Sequence, residues 1–430
     1  MLTRFLIVTV IWLLVDLYVF QAVKTVVSGM NSTTSSIILW AYWIVDITLI
    51  LIILYLGATG KFSHGPNKNF NWIMGAMIII LVPKLVVTPF LLIEDIARFV
   101  QGTYSFIVTK MNGITKQGTF LPERRKFVSI VGLSIASIPF IGTLYGVVKG
   151  KYDYRVHRVK LAFKDLPEAF HGFTITQLSD IHSGSFDDPI AVQRGIDIAK
   201  SQKSDLMVFT GDLVNNHAEE MNDWIEHFSQ LTAPYGSYSI LGNHDYGDYI
   251  PWPTEEAKAQ NLENLKKVHE KIGFKLLLNE HLHIEKDGEK MALIGVENWG
   301  KKGFVKHGDL NKATENLEDD LFKILLSHDP SHWDAVTLDH DKHIHLTLSG
   351  HTHGMQFGIE IPGFKWSPSK YIYPQWAGAY EKKGKYIYVN RGFGFLGFPG
   401  RVGIMPEITV IELVKAKIHF LSKFTFYLPG

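Results

Sequence analysis

The chain has 430 residues, 43 basic and 42 acidic, a formal net charge of +1 and no cysteine. The charge balance gives no electrostatic ground to expect nucleic-acid binding, and the missing cysteines exclude disulfides, thiolate nucleophiles and cysteine-ligated zinc or iron–sulfur centres. The length allows one large domain or two to three average ones.

In chain order, residues 1–150 are dominated by apolar runs. Residues 5–22 ("FLIVTVIWLLVDLYVFQA"), 37–56 ("IILWAYWIVDITLILIILYL"), 72–93 and 127–148 all fall within the roughly 17–25 residues that cross a hydrocarbon core as a helix. The first run is long for a signal-peptide core and three more follow it, so a multi-pass membrane domain of four helices is expected over 1–150. The third run contains Pro83, Lys84 and Pro89, which predicts a kinked helix whose lysine faces protein or reaches toward an interface. Basic residues are nearly balanced between the two sides of a four-span arrangement, so charge does not set the orientation.

Residues 151–430 read as a soluble globular domain. Short β-branched or apolar runs recur from about residue 155, and several stop abruptly at polar clusters. "GFTITQLSDIH" ends in Asp180 and His182, "SDLMVFTGD" in Asp212, and "GSYSILGNHD" in Asn243, His244 and Asp245. "FKILLSHD" leads to His328, and "HIHLTLSGHTH" to His351 and His353. Between some of these lie stretches with helical spacing, such as 189–201 and 255–272. Strands of one α/β sheet can bring their C-terminal ends to a common edge, where the loops form a crevice. Each group there is a hard or borderline metal ligand, or a plausible acid or base. Gly211, Gly242 and Gly350 beside them permit close backbone approach.

The ordered set Asp180-x-His182, Gly211-Asp212, Gly242-Asn-His-Asp, a lone His328 and Gly350-His-Thr-His resembles the calcineurin-like metallophosphoesterase superfamily. "SHDP" at 327–330, "GHTHGMQFG" and the late "NRGFG…PEITVIEL" are similar to its membrane-associated YkuE/YaeI-type phosphodiesterases. That branch has G-G-Q after the last histidine, where this chain has Gly354-Met355-Gln356. The resemblance implies an α/β domain of four layers, α-β-β-α, with a two-metal centre at one edge of the sheets. It implies that Asp180, His182 and His353 hold one divalent metal ion, and that Asn243, His328 and His351 hold a second. Asp212 would bridge both, His244 would act as the acid near the leaving group, and Asp245 would orient His244.

Two cations roughly 3.5–4 Å apart neutralise phosphate oxygens and acidify a shared water, which is what phosphoester hydrolysis needs. Mixed nitrogen and oxygen ligation without thiolate suits Mn, Fe, Zn or Co better than Ca. In "HIHLTL" strand alternation puts His343, His345 and Thr347 on one face, and the two histidines are expected to be solvated. Weaker candidates for contact with substrate are Asn215, with Asn216 and His217, and Arg391, whose guanidinium suits a phosphate. His332 and Trp333 are expected to pack or cap. The aromatic stretch 363–380 is a candidate apolar wall of the substrate site.

The expected protein is thus a membrane-bound two-metal phosphohydrolase for a phosphodiester or pyrophosphate. By analogy with relatives in the superfamily, the substrate would be a phosphorylated small molecule or a lipid-linked one such as UDP-2,3-diacylglucosamine, with membrane lipids as surroundings. The enzymatic rival is a phosphatase or phosphodiesterase for soluble nucleotides or phosphoproteins. The rival from another class is an inactive membrane scaffold, against which stands the presence of all seven ligands and His244.

Overall fold

The computed structural model describes residues 2–59, 68–112, 122–301 and 303–416. The chain divides into two compact units, one built from N-terminal helices as far as Tyr145 and one running from Gly146 onward.

The first unit contains α1 (Leu2–Val27), α2 (Ser32–Ala58), α3 (Lys68–Asn112) and most of α4 (Pro122–Val148). All four are long and apolar enough to cross a membrane. Asn31 starts α2 by accepting the amide of Thr34 at 2.8 Å. The third helix extends well past residue 93, where its apolar run ends. Hydropathy falls there because Glu94 and Asp95 follow, but both acids are paired. Arg125 on α4 lies 3.0 Å from Glu94 and 2.7 Å from Asp95, and Tyr18 on α1 donates to Asp95 at 2.7 Å. Lys84 faces protein, as expected, and is buried between Asp16 at 2.8 Å and Asp46 at 2.5 Å. Those two acids lie inside the apolar runs of α1 and α2, where they neutralise the lysine.

The second unit begins with β1 (Arg155–Phe163), β2 (Thr174–Leu178), α5 (Pro189–Ser201), β3 (Leu206–Thr210), α6 (Ile225–Phe228), β4 (Ser237–Ile240) and α7 (Glu255–Lys271). It continues with β5 (Lys275–Leu276), β6 (Glu280–Lys286), β7 (Glu289–Gly295), α8 (Leu310–Ala313), β8 (Phe322–Leu326), α9 (Ser331–Ala335) and β9 (Leu346–Ser349). The last strands are β10 (Ile359–Ile361), β11 (Phe364–Trp366), β12 (Gly378–Lys382), β13 (Lys385–Val389) and β14 (Glu407–Lys415). Asp188 caps α5 through the amide of Ala191, and Pro189 occupies its first turn. Ala191, Val192, Gly195, Ile196 and Ala199 then recur at helical spacing and are buried.

One six-stranded sheet has the order β1-β14-β2-β3-β4-β5, the other β12-β13-β9-β8-β7-β6. They share a core that includes Ile175, Val208, Ile324, Leu348 and Ile411. The outer face of the first sheet packs Met207 and Phe209 with Ile196 of α5 and Leu265 of α7. The outer face of the second sheet packs Ile294 and Leu325 with Leu310 and Ala313 of α8. This is the expected α-β-β-α sandwich. With both faces covered, β3 and β8 are buried at every position, which is why they read as continuous apolar runs and not as alternating ones.

The same burial corrects one expectation. His343 is exposed, but His345 is buried just before β9, where its Nδ1 accepts the amide of Lys323 at 3.0 Å and its ring lies on Phe322. No polar face remains on an inner strand of a covered sheet, so an imidazole there must find a protein partner.

Candidate metal centre

β2, β3 and β4 are mutually parallel in one sheet, as are β8, β9 and β13 in the other. The ends of β2, β3, β4, β8 and β9 therefore deliver Asp180 and His182, Asp212, Asn243 and His244, His328, and His351 and His353. Cross-sheet hydrogen bonds close the edge: Gln177 donates to the carbonyl of Ser349 at 2.9 Å, and His328 Nδ1 to that of Thr210 at 2.7 Å. Asp180, His182, Asp212, His351 and His353 all have φ between 48° and 70°, a region that non-glycine residues enter at a cost. Backbone bonds hold the strain in place, with Ile181 and His182 both donating to the carbonyl of Asp212. A Cβ on Gly350 would collide with Ser179 and the Asp180 carboxylate, so only glycine fits.

Two groups of donors converge. Asp180, His182 and His353 form one, with the Nε2 atoms of the two imidazoles 3.1 Å apart and Asp180 Oδ1 3.3 Å from His353 Nε2. Asp212, His328 and His351 form the other, completed by Asn243, whose Oδ1 lies 3.1 Å from His328 Nε2 and 2.8 Å from His351 Nδ1. Asp212 Oδ2 joins them, 3.6 Å from His182 Nε2 and 3.1 Å from His328 Nε2. Asp212 Oδ1 is taken by the amide of His244 at 2.8 Å. The carboxylate thus faces both groups through one oxygen and not through two.

Hydrogen-bond direction tests whether these groups suit a cation. A carbonyl oxygen only accepts, so His328 Nδ1 carries a proton toward Thr210, and Nε2 is the ring nitrogen turned to the cluster. Asn243 donates through Nδ2 to Tyr249 at 2.7 Å, which turns its Oδ1 inward. Asp212 Oδ2, Asn243 Oδ1 and His328 Nε2 then face one another, and only a cation, either a proton on Nε2 or a metal ion, holds them together. Such a set fits a divalent ion, and the outer atom of each of these three side chains is already held by a second residue. The protein charges point the same way. Burial would depress His328, yet the Asp212 carboxylate outweighs it and lifts the imidazole to about 10. Burial would likewise raise Asp180 and Asp212, but the surrounding imidazoles hold both below the usual carboxylate range. A site that draws a proton this strongly is one where positive charge is favoured.

His244 sits beside the first group, its ring centroid 4.9 Å from that of His182. Its Nδ1 donates to the carbonyl of Asn215 at 2.9 Å, which leaves Nε2 as the second ring nitrogen. Asp245 does not meet the expectation that it orients His244. Its carboxylate accepts the amides of Gly242, Asp212 and Leu213 at 2.8–3.0 Å and pins two strand-end loops together. Burial and the Asp212 charge push it up to about 7. Asn215 has no free side chain for substrate: its Nδ2 donates to Ser185 at 3.1 Å, and its use to the site is through its carbonyl.

Arg391 is likewise corrected as a phosphate clamp. It is fully buried and paired with Glu407 at 2.6 Å and Glu360 at 2.5 Å, so both of its terminal nitrogens are committed. His332 and Trp333 are buried, the former 2.8 Å from the hydroxyl of Ser327. Of the aromatic stretch, Tyr373 reaches the centre, its hydroxyl 2.7 Å from His351 Nε2. Trp376 is only 4% exposed and packs under Gly354, so it is core and not wall. Three groups were not singled out from the sequence, although Asp329 lies within the quoted "SHDP". Tyr249 backs Asn243, and buried Asp329 Oδ2 lies 3.7 Å from His351 Nε2. Arg401, buried, brings Nη2 to 3.1 Å from His353 Nδ1. Met355, where glycine was expected, has φ +50° and is exposed, so the side chain is tolerated at a backbone cost of roughly 1–2 kcal/mol.

Comparison with known proteins bears on the whole chain. Residues 173–355 match the family described as calcineurin-like phosphoesterase, and residues 3–151 match "Probable Calcineurin-like phosphoesterase, transmembrane domain". The uncharacterized metallophosphoesterase YkuE of Bacillus subtilis is 30% identical over 301 residues, covering 68% of this chain and 97% of the relative. Phosphodiesterase YaeI of Escherichia coli is 28% identical over 299 residues, 68% of this chain and 99% of the relative. UDP-2,3-diacylglucosamine pyrophosphatase LpxG of Chlamydia trachomatis is 25% identical over 316 residues, 62% and 93% of the two chains.

Proposed function

From the premise that this chain belongs to the calcineurin-like phosphoesterases, we propose that its two donor groups hold two divalent ions and cleave a phosphodiester or pyrophosphate on a lipid-linked substrate. That it is a multi-pass membrane metallophosphoesterase follows from the family and the four apolar helices. The finer reading rests above all on Asp212 Oδ2, one buried carboxylate oxygen within 3.6 Å of imidazole nitrogens from both groups.

In this reading Asp180, His182 and His353 would hold one ion, Asn243, His328 and His351 would hold the other, and Asp212 would serve both. Bound there, the ions supply Lewis-acid neutralisation of the phosphate oxygens and a water made acidic enough to attack at neutral pH. His244, its Nδ1 proton fixed on Asn215, presents Nε2 toward the leaving oxygen and delivers a proton from there. Asp245 fixes the register of the Asp212 and Gly242 loops, and so the position of Asp212. Tyr373 and Asp329 orient His351, and Tyr249 orients Asn243. The lipid-linked class is supported by the name of the chlamydial relative and by the membrane domain of this chain.

The test is a substrate series with full-length protein in detergent: an aryl phosphodiester, soluble nucleotides and UDP-2,3-diacylglucosamine. The tailed pyrophosphate is expected to give the highest kcat/KM. Efficient cleavage of a soluble nucleotide with every tailed phosphate inert would remove the lipid reading while leaving the metal centre intact.

A further inference from the structure

The hairpin β10–β11 begins six residues after His353 and has its polarity reversed. Its register pairs Ile359 with Trp366 and Ile361 with Phe364, and Glu360 with Lys365 between them. Alternation therefore puts Ile359, Ile361, Phe364 and Trp366 on one face, and Glu360 and Lys365 on the other. The charged face is turned inward: Glu360 pairs with Arg391, and Lys365 Nζ bonds to the carbonyl of Ala377. The apolar face is turned outward, with Ile359 48%, Ile361 58% and Phe364 53% exposed and Trp366 half-buried. Tyr371, Ile372 and Met355, close in sequence, are exposed as well. A hairpin on the surface of a water-soluble domain places its apolar residues inward.

The root of this hairpin is fastened to Gly146 at the start of the second unit. Val402 bridges Phe357, its amide donates to Gln356 at 2.8 Å, and its carbonyl accepts Gly358 at 2.9 Å. Gln356 Nε2 donates to the carbonyls of Phe398 and Gly400. The neighbouring Arg401 amide donates to the carbonyl of Gly146 at 3.1 Å, and a Cβ on Gly146 would lie 2.7 Å from the Arg401 oxygen. Gly146 and Val147 are the last turn of α4, whose apolar span runs to Val148. They belong to the second unit, as the hairpin does.

We propose that the β10–β11 hairpin is an interfacial membrane anchor that buries Ile359, Ile361, Phe364 and Trp366 among lipid headgroups and upper acyl chains. The occupant is the bilayer that α4 crosses, because the clamp at 398–402 joins the hairpin root to the α4 exit and because tryptophan and other aromatics favour that depth. Insertion of roughly 5–10 Å is what such an apolar face achieves. Presentation of the metal centre to tailed substrates is a consequence that rests on the lipid reading above; the anchoring itself does not.

The absence of cysteine makes the test direct. Full-length Ile361→Cys and, as control, Asp287→Cys at the exposed β6–β7 turn carry an environment-sensitive fluorophore in phosphatidylethanolamine–phosphatidylglycerol vesicles. The label at 361 should emit further to the blue, be quenched by brominated lipid and be shielded from iodide, and the label at 287 should behave oppositely. Equal iodide quenching at both positions overturns the anchor, as does shielding at 361 without bromolipid quenching, which would mean a protein partner or a second copy. Ile361→Asp with Phe364→Asp should leave aryl phosphodiester turnover unchanged and lower that of a vesicle-borne tailed phosphate about tenfold, the worth of roughly one buried apolar side chain. Bromolipid quenching at 361 with no such loss keeps the anchor and counts against the lipid substrate.

Discussion

In the helical unit, the Lys84 ammonium lies 2.8 Å from Asp16 and 2.5 Å from Asp46, each acid from a different helix. At the sheet edge of the second unit, Asp212 Oδ2 lies 3.1 Å from the inward-facing nitrogen of His328, with Asn243 Oδ1 beside it. Both clusters are buried and charged. In the first, ammonium donors meet carboxylate acceptors, so each close contact joins a donor to an acceptor. In the second, acceptors face acceptors, and only added positive charge reconciles them. Burial of charge therefore does not separate a structural cluster from a functional one, but the donor–acceptor balance does. The backbone agrees: five of the nine residues expected at the metal centre have positive φ, and Asp16, Asp46 and Lys84 have none.

The comparison breaks most visibly at Asp212. Asp212→Ala removes the one oxygen that both groups share, so bound metal, measured on purified protein, should fall for both ions and turnover should drop to background. That loss should exceed the roughly 10²–10⁴-fold expected when a general acid alone is removed. His244→Ala supplies the contrast within the same site: metal content stays, turnover falls within that range, and nitrophenolate esters suffer least because they leave without a proton. Wild-type metal in Asp212→Ala would end the assignment of a shared oxygen.

Lys84 tests the other side. Lys84→Met strands two buried carboxylates and should lower stability by roughly 3–5 kcal/mol, read as a lower melting temperature in detergent. Metal content and aryl phosphodiester turnover of the surviving folded protein should not change. Adding Asp16→Asn and Asp46→Asn to Lys84→Met removes the stranded charge and should restore most of the stability. A Lys84→Met protein that melts normally but loses turnover would show that the helical cluster takes part in the chemistry.

What could be read from the sequence follows the same division. Strand ends were legible because apolar runs stop at groups with no reason to be apolar, and the site residues fell where those runs ended. The partners of each group were not legible, because they come from afar. Arg391 looked like a phosphate clamp until Glu407 and Glu360 took both of its terminal nitrogens. Asp245, next to His244, looked like its orienter, but a three-residue helical turn sends the carboxylate to the backbone amides of the neighbouring loops. His345 and Trp376 are in the interior because the sandwich covers both faces of the inner sheet and the loop beneath Gly354. The extent of α3 past residue 93 was hidden because its acids are met by Arg124 and Arg125, some 30 residues on.

Arg401 is the sharpest case of such a distant partner, and it carries the smallest expected effect. It lies 48 residues from His353, yet its Nη2 reaches that ring's Nδ1 at 3.1 Å, with Nη1 and Nε spent on the carbonyls of Arg391 and Gly394. It touches no proposed metal position itself; it fixes a ring that does. Burial pulls the guanidinium down to about 10, which still leaves it cationic at neutral pH. Its charge offsets the two buried aspartates and, with metal present, adds to positive charge already there. The positional role should therefore outweigh the electrostatic one. Arg401→Gln should weaken binding at the Asp180–His182–His353 group by roughly 10–100-fold, the usual cost of losing an outer-shell partner, and leave the Asn243–His328–His351 group close to wild type. Titration of apoprotein with one metal would separate the two, since only one of two binding phases should move. Weakening of both phases alike would mean that Arg401 acts through the charge of the whole edge, and tighter binding would mean that its positive charge, not its grip on His353, was what mattered.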